Sequence, residues 1–449
     1  MVWRFFLNIF NLPDTIFMTV ISNVMDNPRA FWVVNSLFVF ALSVFCASVL
    51  IPQILLISFR KRLFDVPDER KIHQGVVPRL GGIAFKPVVF FSVALALGLS
   101  MLLGYGQLLG NIGSESRPLA FGFCTIMMLY LVGMADDLIG IRYRAKFAIQ
   151  IICGLLVIAG GLWINNLHGL LFIHALPEWI GYPITLFAVV FIINAINLID
   201  GIDGLASGLC GVAMLFYGLV FFIIGEYIYA LLAFATLGVL VPFFYYNVFG
   251  DPAKKNKIFM GDTGSLTIGM MTCILSLKLL DGFPVNPSMQ QPNAFFLAYS
   301  PLIIPCFDVV RVYLHRVRNG KNPFLPDKNH IHHKMLAVGM RQRTVMIAIV
   351  LVSVCFTLCN ILLSRYINVT LLLILDIFIW TLGNLWLTRR IHIVHSKTIV
   401  LYQYEFLQKF NWGNITPVFR SLLNFKRSHL FSRFTSGRKR IGAYCSGRD

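Results

Sequence analysis

Two adjacent aspartates, Asp136 and Asp137, end an apolar run of the sequence, LYLVGMADDLIG. Two carboxylates side by side at the end of an apolar segment are costly unless a cation or hydrogen-bond donors stabilise them. A hard cation such as Mg²⁺ takes oxygen ligands and usually keeps waters and substrate phosphates as its other partners. The pair therefore indicates a metal-assisted phosphate site. The alternative is a solvated loop with paired charges.

A second polar segment, NAINLIDGIDGLASG, has an acidic or amide side chain at every third residue. The four positions are Asn194, Asn197, Asp200 and Asp203. A period of three puts them on neighbouring parts of one helical surface, and the intervening glycines let a ligand approach the backbone. A calcium loop needs a different register and a distal Glu, so we expect this segment to contact another kind of ligand.

A third motif, MGDTGSLTIG, contains Asp262 at the predicted start of a helix. Backbone N–H groups at a helix N-terminus bind phosphate oxygens, which favours a phosphate site at this position. Taken alone, however, the motif is better explained by Asp262 or Thr263 acting as the N-cap of the next helix.

Three histidines, His330, His332 and His333, fall within four residues of the sequence PFLPDKNHIHHKM. Zinc binding is one interpretation, but HxHH lacks the i, i+4 pair of a metalloprotease and no Cys accompanies it. The flanking Lys328 and Lys334 favour contact with a phosphate or a sugar instead. A structural role is the third alternative.

The chain that must position these motifs has 449 residues, of which 57% are hydrophobic and only 13% are charged. Its mean hydropathy is +0.75. Soluble domains carry about 25% charged residues, and disordered chains have low hydrophobicity. The formal net charge is +18, but the cations stand between long apolar runs, which disfavours a soluble nucleic-acid binder. The composition predicts an all-α polytopic membrane protein.

A membrane-spanning helix needs about 20 mostly apolar residues, and the sequence predicts eleven such spans. They cover residues 31–58, 83–104, 119–135, 147–164, 182–198, 205–225, 229–249, 266–280, 295–314, 345–363 and 369–387. The loop cations concentrate on one side, which the positive-inside rule places in the cytoplasm. The N-terminus is then outside and the C-terminus is cytoplasmic. The acidic motifs fall on the same cytoplasmic side.

Both ends of the chain depart from a plain membrane bundle. Residues 1–30 form an N-terminal extension with polar interruptions, for which we expect an interfacial helix. Residues 388–449 form a basic cytoplasmic tail, in which 12 Lys and Arg stand against two acids. Basic segments of this kind bind anionic headgroups, here those of inner-membrane lipids, and no nucleic-acid partner is expected.

Five motifs in a fixed order resemble the polyprenyl-phosphate N-acetylhexosamine-1-phosphate transferase family, glycosyltransferase family 4. They are DVPDERKIHQGVVPRLGG (65–82), ADD (135–137), NAINLIDGIDGLASG (194–208), GDTGSL (261–266) and PDKNHIHH (326–333). The similarity is greatest to the bacterial undecaprenyl-phosphate GlcNAc-1-phosphate transferase branch. Each motif alone is weak evidence for the family, but five motifs in this order are highly specific to it.

The resemblance implies a transmembrane phosphosugar transferase domain over residues 31–387, in the bacterial cytoplasmic (inner) membrane, with its active site on the cytoplasmic side. A UDP-N-acetylhexosamine, most often UDP-GlcNAc, gives its sugar-1-phosphate to undecaprenyl phosphate, and UMP is released. Such lipid products start cell-wall and envelope glycans, including the O-antigen of lipopolysaccharide. The amino sugar, the polymer and the oligomeric state stay open, with a homodimer among the alternatives.

The resemblance also implies roles for the motif residues. Asp262 is expected to be catalytic and to bind Mg²⁺ or Mn²⁺, with Asn197 as a second ligand. One of Asp136 and Asp137 is expected to position or deprotonate the lipid phosphate. The nucleotide pocket is assigned to Asn197, Asp200 and Asp203. Contact with the diphosphate or sugar is assigned to His330, His332, His333 and Lys328.

Two other functions compete with the transferase. One is a transporter or channel, because acids within membrane segments are often functional. The acids here cluster at one face, however, and the opposite loops carry few charges. The other is an inactive scaffold that recruits glycan enzymes through its basic tail, and the presence of every motif acid counts against it.

Overall fold

The computed structural model describes residues 28–63, 77–106, 112–281, 293–322 and 329–409. These ranges contain thirteen α-helices and one short β-hairpin. The helices in chain order are α1 Pro28–Lys61, α2 Phe85–Leu102, α3 Ile112–Ile139, α4 Tyr143–Ala159, α5 Glu178–Ile199, α6 Leu205–Ile224, α7 Tyr227–Val248, α8 Gly261–Leu280, α9 Ala294–Tyr299, α10 Ile303–Arg318, α11 Ile331–Ala337, α12 Gln342–Leu363 and α13 Val369–Lys409. The strands β1 Asn166–Leu170 and β2 Ile173–Ala175 pair antiparallel between α4 and α5.

The chain divides into two units, residues 1–388 and 389–449. Every functional motif belongs to the first unit. Some predictions fall outside the described residues: most of the N-terminal extension, Lys328, the first motif up to residue 76, and the basic tail beyond Lys409. Residues 28–30 of the predicted extension already belong to α1.

Ten segments of the described chain are long and apolar enough to cross a membrane. They correspond to ten of the eleven predicted spans and confirm an all-α polytopic membrane protein. The remaining predicted span, 147–164, coincides with α4, whose 17 residues fall short of the about 20 that a typical span needs. This helix ends early because two glycines follow it, and Gly161 takes a left-handed φ of +94°.

Helix α8 is the most buried helix of the bundle, since every residue from Thr263 to Leu280 except Lys278 is buried. Most of its hydroxyl groups are satisfied within the helix. Thr267 and Thr272, for example, each donate to the carbonyl four residues earlier, which removes the cost of burying a hydroxyl among apolar groups. Because neighbouring helices surround α8, the position of Asp262 in its first turn depends on the packing of the whole bundle.

Side-chain contacts with the two ends of α8 show that α4 also runs from one end of the bundle to the other, so the connections between the helices lie at two opposite ends. One end carries the α3–α4 turn, the α5–α6 turn, the segment before α8 and helix α11. The other end carries the β-hairpin and the end of α8, where Lys278 pairs with Glu115 at 2.9 Å. The described motif positions therefore gather at the first of these ends.

Candidate active site

The start of α8 is held by backbone hydrogen bonds to the last residues of the first motif. Gly81 donates to the carbonyl of Phe259 at 3.0 Å. Gly82 donates to the carbonyl of Met260 at 2.9 Å. A Cβ on Gly82 would lie 2.0 Å from the backbone nitrogen of Gly264, so only glycine fits there. The first motif therefore fixes where α8 begins.

Asp137 caps the N-terminus of α8 from the end of α3. Its Oδ1 accepts from the amide of Asp262 at 2.8 Å, and its Oδ2 accepts from the amide and the hydroxyl of Thr263 at 2.8 and 2.6 Å. A carboxylate here satisfies free amides and favours the positive end of the helix dipole. Gly133 permits the approach, since a Cβ there would lie 2.5 Å from the Cα of Thr263. Capping by Asp262 or Thr263 is wrong, because the N-cap is Met260, without a side-chain bond.

Lys146, at the start of α4, bridges two of the predicted site carboxylates. Its ammonium lies 2.7 Å from Oδ2 of Asp262 and 3.0 Å from Oδ2 of Asp136. The other oxygen of Asp136 accepts from the amide of Ile141 at 2.6 Å, within the turn between α3 and α4. The sequence gives no sign of this role, because Lys146 is one of many cations in the predicted cytoplasmic loops.

Asn197, in the last turn of α5, completes the described contacts of Asp262. Its amide nitrogen lies 3.2 Å from Oδ1 of Asp262 and 2.8 Å from the hydroxyl of Ser265. The two residues predicted to share a metal therefore meet. Lys146 links Asp136 to Asp262, since its ammonium contacts both carboxylates. We call Asp136, Asn197 and Asp262 the acidic corner.

The acidic corner fits a hard divalent cation. The ammonium of Lys146 between two carboxylates shows that this position favours a positive charge. No group of three or more His, Cys, Asp or Glu side chains forms a metal cage in the described part of the chain. Mg²⁺ does not require one, since one or two carboxylates with waters and substrate phosphates suffice. Mn²⁺ also suits carboxylate and carbonyl oxygens.

The four polar positions of the second motif do not share one helical surface, so that prediction is wrong. Helix α5 ends before Asp200, and a turn containing Asp200 and Asp203 leads to α6. The turn ends at Gly204, whose φ of +77° is a left-handed conformation that favours glycine. Asn194 instead contacts α4, where its amide nitrogen donates to Gln150 at 2.7 Å.

The two aspartates of this turn have different surroundings. Oδ2 of Asp203 lies 2.6 Å from the ammonium of Lys257, and both side chains are almost buried. Asp200 is exposed, yet protein packed around its carboxyl, together with the charges of Asp262 and Asp203, raises its pKa to about 7. The Asp200 carboxyl is therefore accessible from solvent and lies near two other carboxylates.

The histidine motif is held by Asp308, a fully buried aspartate of α10. Nδ1 of His330 lies 2.8 Å from Oδ2 of Asp308, whose Oδ1 accepts from the amide of Ile331 at 3.0 Å. Arg311 forms an ion pair with the same carboxylate at 2.7 Å. Sequence reasoning gave Asp308 no role, because a single acid in a partly apolar helix carries no pattern.

His332 lies against the turn that carries Asp200. A Cβ on Gly201 would lie 2.2 Å from Nε2 of His332, so the ring rests on the glycine backbone. The residue is 1% exposed, and neither ring nitrogen meets a hydrogen-bond partner among the described residues. Burial, with His333 beside it, lowers the pKa of His332 to about 3. Such a neutral, buried and unsatisfied ring is uncommon in a folded protein.

The arrangement of the three histidine rings does not favour zinc binding. The rings of His330 and His332 stack with centroids 5.8 Å apart, and the His332 and His333 rings are 4.2 Å apart. These contacts form a column of rings, and His330 turns a nitrogen towards Asp308.

Lys334 donates to the hydroxyl of Thr388 at 3.1 Å, and burial lowers its pKa to about 8.

Comparison with known proteins identifies the family of the chain. Residues 119–280 match the family model described as glycosyl transferase family 4. The chain is 30% identical over 318 residues to the undecaprenyl-phosphate alpha-N-acetylglucosaminyl 1-phosphate transferase of Yersinia pestis, over 69% of this chain and 79% of the relative. It is 30% identical over 347 residues to the probable undecaprenyl-phosphate N-acetylglucosaminyl 1-phosphate transferase of Bacillus subtilis, over 76% and 88%. The matched residues include the acidic corner, and the chain belongs to glycosyl transferase family 4.

Proposed function

We propose that this protein transfers the sugar-1-phosphate of a UDP-N-acetylhexosamine, most often UDP-GlcNAc, to undecaprenyl phosphate and releases UMP. One observation carries the proposal. The acidic corner and the histidine motif lie on either side of the turn between α5 and α6. Asn197 and Lys146 contact Asp262 on one side of it, and His332 touches Gly201 on the other. The names of the relatives support the same acceptor and sugar.

The reaction needs alignment and charge neutralisation more than a strong base. An oxygen of the lipid phosphate attacks the β-phosphorus of the nucleotide sugar. The bond from that phosphorus to the oxygen bridging the two phosphates breaks, and UMP leaves with the bonding electrons. A phosphate monoester has its second pKa near 6, so the acceptor is mostly a dianion near neutral pH. Catalysis of phosphoryl transfer then rests on positioning and electrostatics.

The acidic corner supplies the residues for this task. Asp262 and Asn197 would hold Mg²⁺ or Mn²⁺, with Asp136 as a neighbouring carboxylate. The cation, when bound, neutralises charge on the diphosphate. Lys146 would then exchange a carboxylate oxygen for a phosphate oxygen, since its long side chain can turn within the site. Asp137 acts as a positioning residue, because both of its oxygens already hold the first turn of α8.

The Asp200 turn and the histidine motif complete the proposed binding of the donor. Asp200 is exposed and would contact the nucleotide. Asp203 supports the turn through its ion pair with Lys257. His332 and its neighbours His330 and His333 would bind the diphosphate or the sugar. Lys328, which lies outside the described residues, keeps this role from the sequence motif.

The proposal includes a location. The loop cations of the sequence support an inner-membrane protein of a bacterium, with this site on the cytoplasmic side, where nucleotide sugars are made. The lipid-linked product would start an envelope glycan such as the O-antigen of lipopolysaccharide.

The test uses proteoliposomes that contain the purified chain, undecaprenyl phosphate and Mg²⁺. Two preparations of UDP-GlcNAc carry ³²P either in the β-phosphate or in the α-phosphate. We expect β-label in the lipid phase and α-label in released UMP, and we expect EDTA to abolish both. This pattern distinguishes transfer of a sugar-1-phosphate from transfer of a sugar or of a nucleotide.

The control pair is Asp262→Asn and Asp281→Asn. Asp281 makes the same kind of contact at the opposite end of the bundle, where it accepts from Asn165 at 2.8 Å. Only the Asp262 variant should lose transfer. If UDP-GlcNAc gives no product, UDP-GalNAc tests the wider class of donors. No lipid label from any UDP-N-acetylhexosamine would contradict the proposal and leave the transporter and scaffold alternatives.

A further inference from the structure

Lys86 is a buried cation that the proposed reaction has not used. It lies in the first turn of α2 and is 8% exposed. Its ammonium meets the sulfur of Met127 at 2.5 Å and the ring faces of Phe90 and Tyr130, at 4.9 and 5.4 Å from their centroids. Among the described residues, no carboxylate comes within ion-pair distance of it.

This arrangement is unfavourable for the protein alone. A charged group buried among apolar groups without a counter-ion carries a large desolvation penalty. The first turn of a helix adds the positive end of the dipole, which disfavours a cation. Lys278, a comparable lysine at the opposite end of the bundle, has Glu115 as its partner at 2.9 Å. Lys86 therefore has the surroundings of a group that binds an external anion.

The position of Lys86 relates this anion to the active site. Tyr130, whose ring faces the ammonium, donates its hydroxyl to the carbonyl of Ile83 at 3.2 Å. Seven residues along α3, or about 10 Å, separate Tyr130 from Asp137, the cap of α8. An anion held by Lys86 would thus lie about two helical turns from the proposed reaction centre, on its membrane side.

The surroundings of Lys86 specify which anion. Phe123, Met127 and Leu131 stand at i, i+4 and i+8 on α3, so they form one stripe on that helix. They are 36%, 43% and 47% exposed. The ring of Phe123 also contacts Phe90 of α2, with centroids 4.9 Å apart. This apolar stripe faces the hydrocarbon region and touches the cation at Met127, which suits a ligand with an apolar chain and an anionic head.

We propose that Lys86 binds the phosphate of the polyprenyl acceptor before transfer, with the isoprenoid chain along the stripe of Phe123, Met127 and Leu131. The inference rests on the proposed function, since it names the acceptor site of that reaction. Lys86 is a binding residue in this account and takes no part in bond making or breaking.

The test measures lipid binding and kinetics on the full chain. Native mass spectrometry, without nucleotide sugar, compares undecaprenyl phosphate with phosphatidylglycerol. For Lys86→Met we expect undecaprenyl phosphate affinity to fall about tenfold, with little change for phosphatidylglycerol. We also expect KM for the acceptor to rise about tenfold, whereas kcat and KM for the donor stay within about twofold. Lys86→Arg should restore acceptor binding.

Two further variants guard against loss of folding. Met127→Glu puts a carboxylate beside the ammonium, which supplies an internal counter-ion, and it should weaken acceptor binding as much as Lys86→Met. Lys255→Met is the matched control, since Lys255 also faces an aromatic ring, Phe59 at 5.8 Å, but on the exposed surface. It should leave acceptor binding unchanged. The lipid-free Lys86→Met protein should be at least as heat-stable as wild type, because an unpaired buried charge has been removed.

The outcomes separate this inference from the proposed function. Unchanged acceptor affinity in Lys86→Met, in an enzyme that transfers phosphosugar, would overturn the inference alone. Equal losses for both lipids would overturn it too and would identify a general site for anionic phospholipid. Lys86-dependent binding of undecaprenyl phosphate by a protein without transfer activity would support the acceptor site and contradict the proposed function.

Discussion

The ammonium of Lys146 lies 2.7 Å from a carboxylate oxygen of Asp262, at the place where the proposed divalent cation would bind. Two positive charges cannot share those oxygens without strong repulsion. Lys146 and the proposed cation would therefore compete for Asp262. Binding of the cation would free the lysine for a substrate phosphate, so this competition would link metal binding to substrate binding.

The first prediction concerns that competition. Lys146→Met removes the internal cation from between Asp136 and Asp262, so Mn²⁺ should bind the substrate-free protein about tenfold more tightly or better. Transfer activity should nevertheless fall, because the phosphate loses a cationic partner. Titration of Mn²⁺ followed by electron paramagnetic resonance gives the affinity.

Lys257→Met is the control for this experiment. It breaks a comparable ion pair, with Asp203 at 2.6 Å, outside the acidic corner, and it should not tighten Mn²⁺ binding. Equal Mn²⁺ affinity in wild type and Lys146→Met would show that the lysine and the metal do not compete.

The second prediction separates the two adjacent aspartates. Asp137→Asn removes the charged cap of α8, so the free energy of unfolding should fall by about 1–2 kcal/mol. Asp136→Asn should weaken Mn²⁺ binding instead, because Asp136 belongs to the acidic corner. Heat denaturation and Mn²⁺ titration on both variants check this division. If Asp136→Asn destabilises the fold more than Asp137→Asn does, the capping role is misassigned.

The third prediction tests the close approach at the start of α8. A Cβ on Gly82 would lie 2.0 Å from a backbone nitrogen, so Gly82→Ala should reduce stability by about 3 kcal/mol and shift the first turn of α8. Gly98→Ala is the matched control, since nothing lies within 4 Å of a Cβ at that position of α2. It should be neutral or stabilise by up to about 1 kcal/mol. Equal melting temperatures for the two variants would contradict the account.

The fourth prediction concerns pH. The pKa of His332 is about 3 in the folded protein, below the about 6.5 of an unfolded chain. Between these two pKa values the unfolded chain binds more protons than the folded protein. The contribution of neutral His332 to the free energy of unfolding is therefore fully present above about pH 6.5 and is lost as the pH falls towards 3. His332→Phe should remove this dependence, which reaches about 1.4 kcal/mol per pH unit.

The measurement is the difference in unfolding free energy between wild type and His332→Phe from about pH 7 to about pH 5. His315→Phe, which removes an exposed histidine of α10, is the control for loss of an imidazole as such. A constant difference between wild type and His332→Phe across that range would show that His332 is not held neutral by burial.

Local features of the chain were enough to predict the membrane bundle. The apolar runs located the spans to within a few residues, because hydrophobic length is a property of consecutive residues. The least accurate span was 147–164, where Gly161 ends α4 early. The period of three in the second motif misled in a similar way, since the turn at Asp200 and Gly204 interrupts the helix there.

Residue types and their order along the chain were enough to single out the motifs that we propose bind phosphate, because the chemistry of carboxylates, amides and histidines is a property of the residues themselves. The partner of each group depended instead on how the helices pack. Asp137 caps α8 at Thr263, 126 residues later, and Lys146 reaches Asp262 across 116 residues. Asp308, which holds His330, carried no pattern at all. Such pairs form because glycines such as Gly82 and Gly133 let backbones approach closely, and no local periodicity records which distant helix comes near.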